Sequence, residues 1–265
     1  MYRNTKKCDV SHTSLYLMNN ALIRRGYCRI FHWIHTFGGD IRNLTILLLL
    51  SLSFGTVTDI DGNIYETVLI GEQLWVAENL KVTHYRNGDE IPNNIYNEDW
   101  NDLNVGAYGY YNDDQDHLDT YGNLYNWYAV DDERGVCPEG FHVPSDDDFK
   151  ELEMYLGMSE SEANNTGWRG TNEGCKLAGN SALWADGNLE NNSEFGMSGL
   201  TFLPAGYRSF NNGYYGIMGN GGYFWSSSEN SSNDAWYRKL SYNVSSVNRN
   251  YYREQGGFSI RCLMD

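Results

Sequence analysis

The sequence predicts an α+β domain in which short antiparallel strands surround a few helical turns. Three observations carry this expectation. One segment, Ser145 to Leu156, opens with a capping serine and continues at helical spacing. Elsewhere apolar residues come in short β-rich runs punctuated by Gly and Asn, with 28 glycines in 265 residues. The long Leu-, Ile- and Val-rich runs of a buried parallel sheet are missing from the downstream chain.

From Val57, Asp61-Gly62 sits between β-rich flanks, and Gly71-Glu72 precedes Leu74, Trp75 and Val76, so two hairpins are expected. "DTYGNLYNWYAVDDE" brings Tyr121, Leu124, Tyr125 and Tyr128 to helical spacing, which predicts a short aromatic helix. After "GVCPEGFHVP", Ser145 offers a capping hydroxyl, and Asp146, Asp147 and Asp148 meet the positive end of the helix dipole. Phe149, Leu152, Tyr155 and Leu156 are expected to face inward, with Lys150, Glu151 and Glu153 in water.

The stretch from Gly157 to Ser198 shows no sustained period and reads as loop. Strands are expected to resume at "GLTFLPAGYRS", "GGYFWSSSE", "AWYRKLSYN", "SSVNRNYY" and "GFSIRCLM". No repeat of fixed period is visible, which disfavours a propeller or solenoid.

Leu44 to Phe54 reads "LTILLLLSLSF", followed by the small-x-small triplet Ser53, Phe54, Gly55. A lone helix needs about 20 apolar residues to span a bilayer, so the run reads as a secretory signal with cleavage near Gly55. A membrane anchor and a buried element of the fold are the competing readings. The expected organisation is an extension over residues 1–55 and one domain over 56–265. The 43 residues before the run carry seven Lys and Arg and two Asp, which fits a start assigned too far upstream. Cys8, His12, Cys28 and His32 lie there, but their spacing matches no structural zinc type.

Cleavage after Gly55 would leave 12 of the 19 basic residues and 33 of the 35 acidic ones, a net charge of −21. No clustered Lys and Arg remain for a phosphate backbone, so nucleic acid is an unsuitable partner. Export would also bear on Cys137, whose residue type alone leaves a nucleophile, a metal ligand, a buried thiol and half of a disulfide open. Past the apolar run only His84, His117 and His142 remain, and no Ser-His-Asp order or nucleophile elbow stands out. The chain is therefore expected not to be an enzyme.

Two stretches suggest binding. "YNDDQDHLDTYGN" offers Asp113, Asp114, Asp116 and Asp119, hard oxygen ligands suited to a structural calcium, against the plainer reading of a solvated acidic loop. "SFNNGYYGIMGNGGYFW" supplies Tyr214, Tyr215, Tyr223 and Trp225 among glycines and asparagines, as flat faces for a sugar or as core. The two loops are expected to form one exposed face.

Several motifs occur together and in order: "TDIDGNIYETVLIGEQLWVAENL", "YGNLYNWYAV", "GVCPEGFHVPSDDDFKELE", "GLTFLPAGYRS", "GYFWSSSE" and the closing "GGFSIRC". Residues 56–265 thereby resemble the Fibrobacter succinogenes major paralogous domain family of secreted bacterial domains. The resemblance implies a C-type-lectin-like fold with two main helices, short antiparallel strands and long ordered loops. It also implies a Cys137–Cys262 disulfide, which leaves Cys175 as a buried free thiol. A more distant similarity, through Gly122 to Trp127, is to formylglycine-generating enzymes, whose copper needs two close cysteines.

The function expected on these grounds is an exported, non-catalytic binding or adhesion module at a bacterial surface, taking a glycan or a surface protein. The alternatives are a structural component of a surface assembly and a degenerate oxidase relative.

Overall fold

The computed structural model describes residues 53–265, which lie in a unit spanning Leu49–Asp265. The apolar run before residue 53 and the Cys8, His12, Cys28 and His32 set fall outside the described residues. Strands follow in order: β1 (Ser53–Thr58), β2 (Ile64–Ile70), β3 (Gln73–Val76), β4 (Tyr108–Gly109), β5 (Leu124–Tyr125), β6 (Phe141–His142) and β7 (Gly167–Arg169). The second half adds β8 (Tyr207–Arg208), β9 (Tyr215–Gly216), β10 (Gly221–Ser231), β11 (Asp234–Ser241), β12 (Val244–Arg253) and β13 (Leu263–Met264). A five-stranded antiparallel sheet has the order β1-β2-β3-β13-β6, and a four-stranded one β10-β11-β12-β7. With its helices, the protein is α+β. No described helix is long and apolar enough to cross a membrane.

Both expected hairpins form. In the first, Asp59 Oδ1 accepts from the backbone N of Asp61 and Asn63, and its Oδ2 accepts from Tyr65 Oη at 2.6 Å. The carboxylate thus organises the turn, and Gly62 supplies the left-handed residue at φ +85°. The C-terminal strand β13 sits between β3 and β6. Beside it Cys262 is bonded to Cys137, with Cα atoms 5.8 Å apart across 125 residues of sequence. A closed loop of that size contributes on the order of 4 to 5 kcal/mol in the chain-entropy account.

The helix Asp146–Tyr155 carries a full capping box: Ser145 Oγ accepts from Asp148 N, and Asp148 Oδ2 accepts from Ser145 N. Two of its side chains depart from the apolar pattern. Tyr155 is exposed and lies against the Gly71 turn, whereas Glu153 is fully buried. Glu153 is inside because Arg169 and Arg238 bind both of its oxygens there. Asp146 is likewise held by Arg238 and Arg249. Hydropathy alone cannot see a charge whose partners arrive from β7 and β11.

The expected aromatic helix is not one element. Leu118–Tyr121 and Trp127–Val130 are separate single turns flanking strand β5. Gly122 breaks the run at φ +72°, and Asn126 caps the second turn by accepting from Ala129 N. The stretch 157–198 also holds more than loop: helices Glu160–Ala163 and Glu173–Leu177, with β7 between them. In place of two main helices, Asp146–Tyr155 is the one described helix longer than five residues.

The four-stranded sheet separates two cores, and the period of two along β10 assigns its side chains. Tyr223 and Trp225 enter one core with Tyr125, Trp127, Tyr237 and Phe258. Phe224 enters the other with Trp75, Phe149, Phe202 and Leu240. In the second core the Arg261 guanidinium is fully buried and donates to Asn79 Oδ1 and to the carbonyls of Leu200 and Thr201.

Candidate binding face

The acidic loop and the glycine-rich loop meet. Tyr215, on β9, donates from Oη to Asp113 Oδ1 at 2.6 Å. Asn112 and Asp113 both adopt left-handed backbone, φ 57° and 55°, which turns the Asp113 carboxylate back toward β9. Burial, reinforced by the hydrogen bond to Asp113, raises the Tyr215 phenol well above its ordinary range despite nearby Arg208. The phenol is therefore the donor and the carboxylate the acceptor.

Around this bond the aromatic side chains form a continuous row. The Tyr111 ring lies 5.6 Å from Tyr215 and 5.9 Å from His117, and His117 lies 6.0 Å from Tyr121. On the inner side Arg208 is fully buried, with its guanidinium carbon 3.9 Å from the Trp100 ring and 4.9 Å from that of Tyr215. Arg208 fixes the loops themselves, donating to the carbonyls of Gly213 and Ile95. Tyr214, 62% exposed, projects beside the row. A row of rings anchored through Tyr215 to a buried cation can stack against a flat ligand face, with Asp113 as an acceptor alongside.

Of the residues singled out from the sequence, Asp113, Tyr214 and Tyr215 belong to this face. Tyr223 and Trp225 do not: both are buried in the aromatic core, and Trp225 donates from its indole to Tyr125 O at 2.9 Å. The strand period that pairs them places them on the inner side of the sheet. The four aspartates are not assembled as a calcium cage either. Asp113 accepts from Tyr215, Asp114 accepts from Asp116 N, and Asp116 and Asp119 point into solvent. Among the described residues no group of three or more His, Cys, Asp or Glu side chains is placed to hold a metal ion. Asp114 instead caps the turn Gln115–His117, a role its local spacing permits equally well.

Tyr111, His117, Tyr121 and Arg208 went unread in the sequence as members of one face. The signal available was the Tyr110-Tyr111 pair directly before the acidic run. Two open clefts lie elsewhere, of about 680 and 470 Å³, and both are bordered by Arg134. Cys175 is buried, its thiol raised by burial, and is the one free cysteine among the described residues.

No curated protein and no solved structure matches the chain. A family model does, from Val68 through Met264, and so covers the four-stranded sheet, strands β3, β6 and β13 of the five-stranded one, the disulfide and the loops of the aromatic face, while β1 lies before it. The chain belongs to the Fibrobacter succinogenes major domain family.

Proposed function

We propose that this protein is an exported, non-catalytic binding module that takes a glycan or a surface protein at the Tyr111–Tyr215 face. The observation that carries the reading is the Asp113–Tyr215 hydrogen bond, which joins two loops about 100 residues apart into one surface of rings and acceptor oxygens. Loops fixed on a rigid scaffold are where binding concentrates. The Cys137–Cys262 bridge supports an oxidising compartment outside the cytoplasm, with the leader near Gly55 as the route. A C-type-lectin-like arrangement is part of the proposal, supported by first and last strands that share one sheet.

A second reading, a structural component of a surface assembly, draws on the burial of Tyr223 and Trp225 in the core. It accounts less well for Tyr214 and Tyr96, which stand exposed. An oxidase relative would need a second free thiol near Cys175, and Cys137 and Cys262 are bonded to each other.

The test is a glycan array and a surface-protein screen with the full chain, followed by Tyr214→Ala and Asp113→Ala variants. Both should keep the wild-type melting temperature within a few degrees, and both should weaken the hit at least tenfold, roughly 1.4 kcal/mol. Wild-type binding by both variants would place the ligand elsewhere and return this face to scaffold.

A further inference from the structure

Across the four-stranded sheet, strand register places four side chains in one row. Tyr223 on β10 pairs with Lys239 on β11, Lys239 pairs with Asn248 on β12, and Asn248 pairs with Trp168 on β7. Directly opposed residues of antiparallel strands share a face, so the row continues the Tyr223 side of the sheet outward beyond the aromatic core. With adjacent strands about 4.8 Å apart, the backbones at Lys239 and Trp168 stand about 10 Å from each other with Asn248 between them.

Two members of the row lack the partners their burial calls for. Asn248 is only 8% exposed, and its Oδ1 has no hydrogen-bond partner. A buried amide oxygen of this kind is uncommon in folded proteins and lowers stability. Lys239 is half-buried and forms no ion pair with the described residues, although 35 Asp and Glu occur in the chain. Its ammonium lies instead 4.9 Å from the Tyr223 ring centroid and 5.9 Å from that of Trp168. Trp168 closes the row, 42% exposed on the short edge strand.

We propose that this row is a second binding site, separate from the Tyr214 face, and that its ligand is an acidic saccharide, a pyranose carrying a carboxylate. The three outer members each supply one part of the recognition. Trp168 offers a ring face to the C–H side of the sugar. Asn248 Oδ1 is closed to solvent, so the amide meets the ligand through Nδ2, which donates to a sugar oxygen. Lys239, a cation kept clear of protein carboxylates, takes the ligand's carboxylate. In a chain of net charge −16 an acidic ligand approaches against the overall field, so selectivity for it has to come from such a local cation. An acidic peptide would satisfy Lys239, but it lacks the rigid ring that a flat, exposed indole beside an amide donor suits.

The test uses the full chain and defined oligosaccharides: oligogalacturonate as the acidic probe and galacto-oligosaccharide of the same length as the neutral one. Calorimetric titration should show the acidic oligomer binding about tenfold more tightly at low salt, with the preference shrinking as salt rises. Trp168→Ala should weaken both probes. Lys239→Gln should abolish the preference while leaving neutral binding in place. Asn248→Leu should raise the melting temperature of the free protein while it weakens binding. Failure of wild type to bind oligogalacturonate overturns the proposal, as does unchanged binding in Trp168→Ala and Lys239→Gln. A glutamate-rich peptide bound with the same dependence on Lys239 and Trp168 would overturn the saccharide assignment. Because Tyr214→Ala leaves this row untouched, loss at one face is distinguishable from loss at the other.

Discussion

Arg238 donates from Nε to Glu153 Oε1 at 2.7 Å, with both side chains withdrawn from solvent. The pair sits at the centre of a network in which Arg169 holds the other side of Glu153 while Arg238 and Arg249 hold Asp146. Three guanidinium groups face two buried carboxylates, and Lys150 adds a fourth cation at the Asp146 edge. The helix Asp146–Tyr155 is thereby fastened to the four-stranded sheet by charge as well as by Phe149 and Leu152.

Removal of one member of such a cluster leaves its partners charged, buried and uncompensated. Glu153→Leu should destabilise the protein by about 3 to 5 kcal/mol in urea titrations, since Arg169 and Arg238 would then confront each other without a counterion. Glu151→Ala, two residues away on the wet face of the same helix, should change stability by about 0.5 kcal/mol or less. Equal effects at the two positions would show that the network contributes nothing specific.

The same network sets a pH dependence. Burial alone would raise the Asp146 carboxyl, but hydrogen bonds and charge from Arg249 and Arg238 outweigh it and hold Asp146 well below the usual carboxylate range. A carboxyl depressed on folding binds fewer protons in the native than in the unfolded state. Its stabilisation is therefore fully present above the unfolded value of about 3.9 and is lost as pH falls through the depressed native value. Melting temperature should fall steeply below about pH 4, and Asp146→Asn should start lower at pH 7 and lose part of that acid slope. An unchanged slope in the variant would exclude Asp146 as a source of the dependence.

This network also shows what a sequence can and cannot disclose. Ser145 and Asp148 are three residues apart, so their capping box is legible locally, and the hairpin at Asp61-Gly62 is legible for the same reason. Glu153 and Arg238 are 85 residues apart, and no local period announces that a charge will be neutralised inside. The candidate face divides along the same line. Tyr214, Tyr215 and Asp113 could be found from composition and loop position. The inward turn of Tyr223 and Trp225 depends on which side of β10 faces the core of Tyr125, Trp127 and Phe258, a fact settled only when β11 and β12 pair beside it. The aromatic run 121–128 misleads because its helical spacing is real while one glycine and one asparagine divide it.

That glycine supports a further prediction. Gly122 adopts φ +72°, and a Cβ there would lie 2.8 Å from the Leu80 carbonyl oxygen and 2.9 Å from Asn79 Cβ. Backbone on one side and a buried side chain on the other leave little room for adjustment, because Asn79 is itself tied to Arg261 and to the Tyr121 carbonyl. Gly62 has a similar left-handed backbone, φ +85°, but nothing within 4 Å of the same point. Gly62→Ala should therefore cost only the conformational term, about 1 kcal/mol. Gly122→Ala adds a steric clash to that term and should cost more than about 2 kcal/mol. It should also disturb the adjoining Tyr121–His117 contact, visible as shifted ring resonances by NMR. If the two alanine variants unfold at the same urea concentration, then contact with Leu80 and Asn79 does not restrict this position, and the break between the helix turn at Tyr121 and strand β5 must be imposed by Asn123 and Asn126 instead.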